Sequence, residues 1–189
     1  MTPTSTTPAQ TTAAPTTAAP TGVPTLDTAA MLAGIGTQQQ RIGGVLDGLD
    51  DETLCRSVLP SGWTFAGMVQ HLTRMTTFWF DHVLSGDPFV RPPGDDFDVA
   101  PDIAVDRLIA QFVLTGERCR ARVTHLPLDG APAWWPANMF GPWRLDSVSE
   151  ILYHVTVETA THAGHLDAAR ELVDSRTWVY ELGRLSDPG

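Results

Sequence analysis

Apolar residues recur at the three- and four-residue spacing of an amphipathic helix in four stretches of the chain. The predicted helices span about residues 26–49, 64–85, 101–126 and 147–173. No stretch between them alternates β-branched and polar residues over the length of a strand. The pattern therefore predicts an all-α bundle of four helices.

Capping residues mark the starts of the second and fourth predicted helices. Thr64 follows a Pro-Ser-Gly turn and is placed to accept a hydrogen bond from the first turn of the second helix. Ser147 and Glu150 have the spacing of a capping box at the start of the fourth helix. The first helix, predicted to begin its apolar stripe at Leu26, contains Gly34, Gly36, Gly43 and Gly44, which lower its helical propensity.

A long connection separates the second and third helices. Residues 86–100 are rich in Gly, Pro and Asp, and fully extended they could span about 50 Å. A helix of about 24 residues is only about 36 Å long. The loop can therefore return along the bundle and make these helices parallel, although its length leaves the antiparallel arrangement open.

The connection between the third and fourth helices, residues 127–146, is rich in aromatic residues. It contains Trp134, Trp135, Phe140 and Trp143 among prolines and glycines. Loops of this length in compact domains are often binding loops. Alternatively, the aromatic side chains close one end of the bundle, and both interpretations require buried aromatic surface.

The first 24 residues are almost wholly Thr, Ala and Pro, a composition that buries too little apolar surface to offset the entropy of ordering it. We therefore predict a disordered tail over residues 1–24 and one helical-bundle domain over residues 25–189. The chain has no apolar run of membrane-spanning length, and Arg41 is its first positive side chain. We accordingly expect a cytoplasmic protein that does not associate with membranes.

Charge and composition exclude several functions. The formal net charge of −10 repels nucleic acid, so we expect no nucleic-acid partner. All twelve basic residues are arginine, which excludes Schiff-base chemistry on a lysine. Cys55 and Cys119 lack the close spacing of a zinc ribbon or a redox pair, and we expect both to be small buried apolar residues.

Ionisable side chains cluster on one face of the fourth predicted helix. His154, Glu158, His162 and His165 lie at about 0°, 40°, 80° and 20° around the helix axis. We expect this face to be buried, where such groups need partners. Glu158 and His162 can converge on one metal ion, whereas His154 and His162 are about 12 Å apart along the axis.

His71 lies on the apolar stripe of the second predicted helix, so it also faces inward. If the two inward faces meet, His71, Glu158 and His162 form a two-histidine, one-glutamate ligand set. Catalytic zinc sites use such a set and leave the fourth position open. The alternative is that these are ordinary core histidines held by hydrogen bonds.

Two segments carry a resemblance to a known family. SGWTFAGMVQHL at residues 61–72 and LYHVTVETATHAGHLDAARE at residues 152–171 resemble the mycothiol-dependent enzymes of the DinB-like metal-binding four-helix bundles. The resemblance spreads over about residues 26–174. It implies a divalent metal, usually zinc, bound by His71, Glu158 and His162, and mycothiol as the thiol cosubstrate.

We therefore predict a zinc-dependent enzyme that transfers a low-molecular-weight thiol, mycothiol, to an electrophilic metabolite, with His71, Glu158 and His162 acting through the metal. The alternatives are a mycothiol-dependent isomerase or a metal-dependent hydrolase on the same site, and a non-enzymatic metal-binding bundle. The expected partners are the small-molecule thiol and the electrophile, with a homodimer as a possible assembly.

Three further residues are candidates for contact with the thiol: His154, His165 and Arg170. Both histidines have an alternative interpretation as ordinary core residues. Arg170 and Asp167 belong to the family-like segment, but they lie three residues apart on one helix, so a surface ion pair is an equally good interpretation.

The composition of the tail generates a prediction that thermal denaturation can test. Deleting residues 1–24 should leave the melting temperature unchanged, because the segment has no apolar stripe with which to pack on the bundle. A drop of several degrees on truncation would show that the tail contributes to the folded domain.

Overall fold

The computed structural model describes residues 26–100 and 103–188. These ranges contain five α-helices, a π-helical segment and a short β-hairpin. The elements are α1 (Thr28–Leu46), α2 (Asp51–Cys55), α3 (Phe65–Thr77), the π-helical segment (Phe78–Leu84), α4 (Val105–Val123), α5 (Val148–Asp174), β1 (Trp178–Val179) and β2 (Arg184–Leu185).

The all-α prediction is confirmed. The four predicted helices correspond to α1, α3 with the π-helical segment, α4 and α5, whereas α2 and the hairpin were not predicted. The predicted tail, residues 1–24, lies outside the described residues. Within residues 26–100 and 103–188, no helix combines the length and apolar character needed to cross a bilayer.

The helices form a bundle in which α1 and α3 lie on opposite sides of the core. Both pack against α4 and against α5. Thr28 at the start of α1 donates a hydrogen bond to the backbone oxygen of Leu126, just after α4 ends, at 2.8 Å. At the other end of α1, the side chain of Arg170, late in α5, donates to the backbone oxygen of Val45. The first helix is therefore antiparallel to α4 and parallel to α5.

Helices α3 and α4 are parallel, which resolves the arrangement that the loop length left open. Gln70, early in α3, donates to the backbone oxygen of Asp98, shortly before α4, at 2.7 Å. Asp81, in the π-helical segment, accepts hydrogen bonds from Arg118, late in α4. The connection over residues 86–100 therefore returns along the bundle. The chain directions are up, down, down, up for α1, α3, α4 and α5.

Both predicted caps are confirmed, but two predicted helix starts are wrong. Thr64 accepts from the backbone N–H of Gly67 at 3.0 Å, and the Ser147–Glu150 capping box is formed. Leu26 is 68% exposed and precedes α1, because Asp27 caps that helix. Ile103 is likewise exposed and precedes α4, which begins at Val105.

A buried carboxylate joins the π-helical segment to α4. Asp81 is only 5% exposed, and it accepts from Arg118 at 2.6 and 2.9 Å and from Arg122 at 3.3 Å. Cys119 packs beside it, and burial raises the pKa of the Cys119 thiol to about 12. Cys55 is exposed at the end of α2, so its predicted burial is wrong because that short helix turns it to solvent.

The seam between α1 and α5 is held by arginines. Arg170 is 1% exposed, donates to the backbone oxygens of Val45 and Asp47 at 2.8 Å, and pairs with Asp174 at 2.7 Å. The Arg170 side chain thus donates hydrogen bonds to carbonyl groups at the end of α1 that have no acceptor role within that helix. Asp167 instead accepts from Arg41. The predicted surface ion pair between Asp167 and Arg170 is therefore wrong. Asp167 binds across the seam, and Arg170 binds both across the seam and further along α5.

Two adjacent glycines in α1 provide a matched test of how the hairpin packs. A Cβ atom on Gly44 would overlap the ring of Trp178 in β1, 2.8 Å from Cη2, whereas one on Gly43 would meet nothing within 4 Å. Gly44→Ala should lower the free energy of unfolding by about 1–3 kcal/mol. Gly43→Ala should raise it by up to about 1 kcal/mol through helix propensity. Urea denaturation measures both values, and stabilisation by both changes would contradict the contact with Trp178.

Candidate metal centre

The three ligands predicted from the sequence converge between α3 and α5. One possible ligand atom from each of His71, Glu158 and His162 lies within 4.8 Å of the other two. Glu158 Oε2 is 3.4 Å from His162 Nε2, and the His71 and His162 rings have centroids 4.9 Å apart. Ligand atoms about 2.1 Å from a tetrahedral zinc ion lie about 3.4 Å from one another. Small side-chain movements would therefore bring all three onto one ion.

The long helix α5 sets the spacing of two of these side chains. Glu158 and His162 are one turn apart, so they project to the same side of the helix. The fully buried positions beside them are Val155, Thr159 and Ala163. The prediction that the ionisable face of α5 is buried is wrong, because this face lies at the margin of the buried stripe. That position leaves the ligand set half-buried and accessible to a small molecule.

The surroundings of the His71 ring are typical of a metal ligand. Both of its ring nitrogens are shielded from solvent, and neither has a hydrogen-bond partner among the residues that the structure describes. Leaving a buried polar atom unpaired costs about 1–3 kcal/mol. A bound metal ion would provide one ring nitrogen with a partner, so the residues present fit a metal.

The electrostatics also fit a metal. Burial lowers the pKa of both His71 and His162, and the neighbouring His71 lowers that of His162 further. Both rings are therefore neutral at neutral pH, the form in which imidazole donates a lone pair to a metal. Glu158 completes a donor set of two nitrogens and one carboxylate oxygen, which suits zinc and leaves a coordination position for another ligand.

The other sequence candidates lie around this set rather than in it. His154 is one turn before Glu158, with its ring against Trp79 at 4.8 Å between centroids. His165 is exposed, contrary to its expected burial, and its Nδ1 atom is 3.5 Å from Nδ1 of His162. Arg170 is engaged at the far end of the seam with α1. Its described contacts hold the fold together.

Phe97 is a site residue that the sequence analysis missed. Its ring stacks on His71 with centroids 4.5 Å apart and planes 11° apart, which restricts the orientation of the imidazole. Gly67 permits this approach, because a Cβ atom there would overlap the backbone oxygen of Phe97. A glycine one helical turn before His71 was the available signal, since such a glycine often marks a close backbone approach.

The aromatic residues of the connection between α4 and α5 pack over the π-helical segment and the first half of α5. Trp79 stacks on Phe140 with centroids 5.9 Å apart, and Trp134 donates its backbone N–H to Val83. Phe140 and Trp143 also line a cavity of ≈ 580 Å³ that reaches His154 and Glu158. The loop therefore closes this end of the bundle and forms a wall of a cavity beside the ligand set.

The fold and the site together define the class of protein. Helices α3 and α5 run antiparallel and present His71 against a Glu-x-x-x-His pair inside a four-helix bundle of the DinB-like type. A family model described as mycothiol-S-transferase matches residues 31–175. The chain belongs to this family, and the match includes all three candidate ligands. No curated protein and no solved structure matched the chain.

The geometry of the ligand set predicts an order of effects on metal binding. Three changes, His71→Ala, Glu158→Ala and His162→Ala, should each weaken zinc affinity by more than about 100-fold. Loss of a residue that only hydrogen-bonds a metal ligand already weakens metal affinity by about 10–100-fold. His154→Ala should have a smaller effect, because His154 lies outside the set. Competition with a chromophoric chelator measures the affinity, and circular dichroism checks folding. Loss of zinc from His154→Ala with retention by Glu158→Ala would contradict the assignment.

Proposed function

We propose that this chain is a zinc-dependent transferase that joins mycothiol to an electrophilic metabolite. Membership of the mycothiol-S-transferase family supports the thiol and the class of reaction. The convergence of His71, Glu158 and His162 supports the metal. The observation that carries the proposal is His71, whose buried ring nitrogens have no hydrogen-bond partner in the described ranges.

In this proposal His71, Glu158 and His162 would hold the ion, and a donor set of three residues would leave room for a further ligand. A zinc ion bound there would lower the pKa of a thiol and so supply a thiolate nucleophile near neutral pH. The stacked ring of Phe97 holds the His71 imidazole in orientation. Nδ1 of His165 lies 3.5 Å from Nδ1 of His162, whereas Glu158 lies at the other ring nitrogen, Nε2.

The half-buried position of the set supports transfer rather than simple metal storage. The site lies at the margin of the buried stripe of α5, so a small molecule can reach it, and an aromatic wall adjoins it. We place the reaction in the cytoplasm, where low-molecular-weight thiols are kept reduced. The homodimer and the single domain over residues 25–189 stay predictions.

Cobalt substitution tests direct activation of the thiol. Titrating the cobalt-loaded full chain with mycothiol should produce a sulfur-to-cobalt absorption band and release about one proton per site, because the ligand binds as a thiolate. The disulfide of mycothiol is the control and should give neither signal. Glu158→Gln should weaken both.

The outcome also separates the alternatives. Absence of both the band and proton release at saturating mycothiol would contradict direct thiol activation and favour a metal-dependent hydrolase. Failure of the chain to bind any divalent metal after reconstitution would contradict zinc-dependent transfer and favour a non-enzymatic bundle in which the histidines are structural.

A further inference from the structure

We propose that the cavity beside the metal centre binds the electrophile, and that this electrophile carries an aromatic ring. The inference rests on the proposed function, since it names the second reactant of the transfer. The cavity has a volume of ≈ 580 Å³, within the range of about 300–1,000 Å³ that small-molecule sites occupy.

Five aromatic rings from three segments line the cavity. Phe78 and Trp79 come from the π-helical segment, Phe89 from the connection before α4, and Phe140 and Trp143 from the connection before α5. Phe78 and Phe89 meet edge to face with centroids 5.1 Å apart. A flat aromatic guest could make the same edge-to-face and offset contacts with these rings.

Most polar side chains of the wall are already engaged with the protein. Thr73 and Thr77 donate to backbone oxygens of their own helix at 2.8 and 2.9 Å. Arg74 donates to Asp96 at 3.1 Å, and the His82 ring lies within hydrogen-bond distance of the Asp87 backbone oxygen.

This wall does not suit the thiol. The inositol and glucosamine portions of mycothiol carry many hydroxyl groups, and burying a hydroxyl without a partner is costly. The cavity therefore suits the other reactant.

The cavity also adjoins the ligand set. Glu158 belongs both to the ligand set and to the cavity lining, so a guest next to Glu158 lies beside a thiol bound at the open position. For an unsaturated ketone, the sulfur bonds to the β-carbon and the alkene π electrons move toward the carbonyl. The proton lost by the thiol ends on the α-carbon. Nothing leaves, and neither reactant is oxidised or reduced overall.

A matched pair of unsaturated ketones tests the class of electrophile. Trans-4-phenylbut-3-en-2-one and trans-pent-3-en-2-one share the reacting group and differ by phenyl against methyl. With the zinc-loaded full chain, mycothiol consumption relative to the uncatalysed rate should be at least tenfold higher for the phenyl compound. Phe89→Ala should reduce this preference. Tyr153→Ala should leave it unchanged, because Tyr153 is 67% exposed and lies outside the cavity.

Binding of unreactive analogues separates this inference from the proposed function. Calorimetry on the full chain should show 4-phenylbutan-2-one binding at least tenfold more tightly than pentan-2-one. This comparison needs no variant, so it holds even if Phe89→Ala does not fold. Tight binding of the phenyl analogue without thiol consumption would overturn the proposed function alone. Equal binding of both analogues, with both enones consumed equally, would overturn the cavity assignment alone.

Discussion

The candidate site depends on one contact, the approach of the His71 ring on α3 to the His162 ring on α5, with centroids 4.9 Å apart. Because Glu158 lies one turn before His162 on the same helix, this contact also brings its carboxylate to the same point. Three groups that prefer water or a partner are thereby held at the edge of an apolar core. The ring nitrogens of His71 find no partner in the described ranges, so a metal ion would relieve a cost that the fold otherwise bears.

The other elements of the bundle position the helices and rings around this contact. The connection over residues 86–100 makes α3 and α4 parallel, and on its way back it lays Phe97 over His71. The π-helical segment buries Asp81 against the arginines of α4, and it presents Phe78 and Trp79 to the cavity. Arg170 of α5 donates a hydrogen bond to the end of α1 and so links the two helices. Membership of the mycothiol-S-transferase family relates this arrangement, a ligand set beside an aromatic cavity, to the transfer of a thiol.

Local features of the sequence were sufficient to predict the four long helices and the candidate ligands. The caps at Thr64 and Ser147 depend on neighbouring residues, and the spacing of Glu158 and His162 follows from one helical turn. Features that depend on distant partners could not be predicted. Asp167 binds Arg41, 126 residues away, and Phe97 reaches His71 through a loop without periodicity. The strands Trp178–Val179 and Arg184–Leu185 are too short to show alternation.

X-ray absorption at the zinc edge tests the central claim most directly. Zinc-loaded full chain should show nitrogen and oxygen ligands at about 2.0–2.2 Å without sulfur, and mycothiol should add one sulfur at about 2.3 Å. A sulfur ligand before mycothiol is added would indicate that a cysteine of the chain binds the metal. A spectrum unchanged by saturating mycothiol would contradict coordination of the thiol, and with it the proposed role of His71, Glu158 and His162 in its activation.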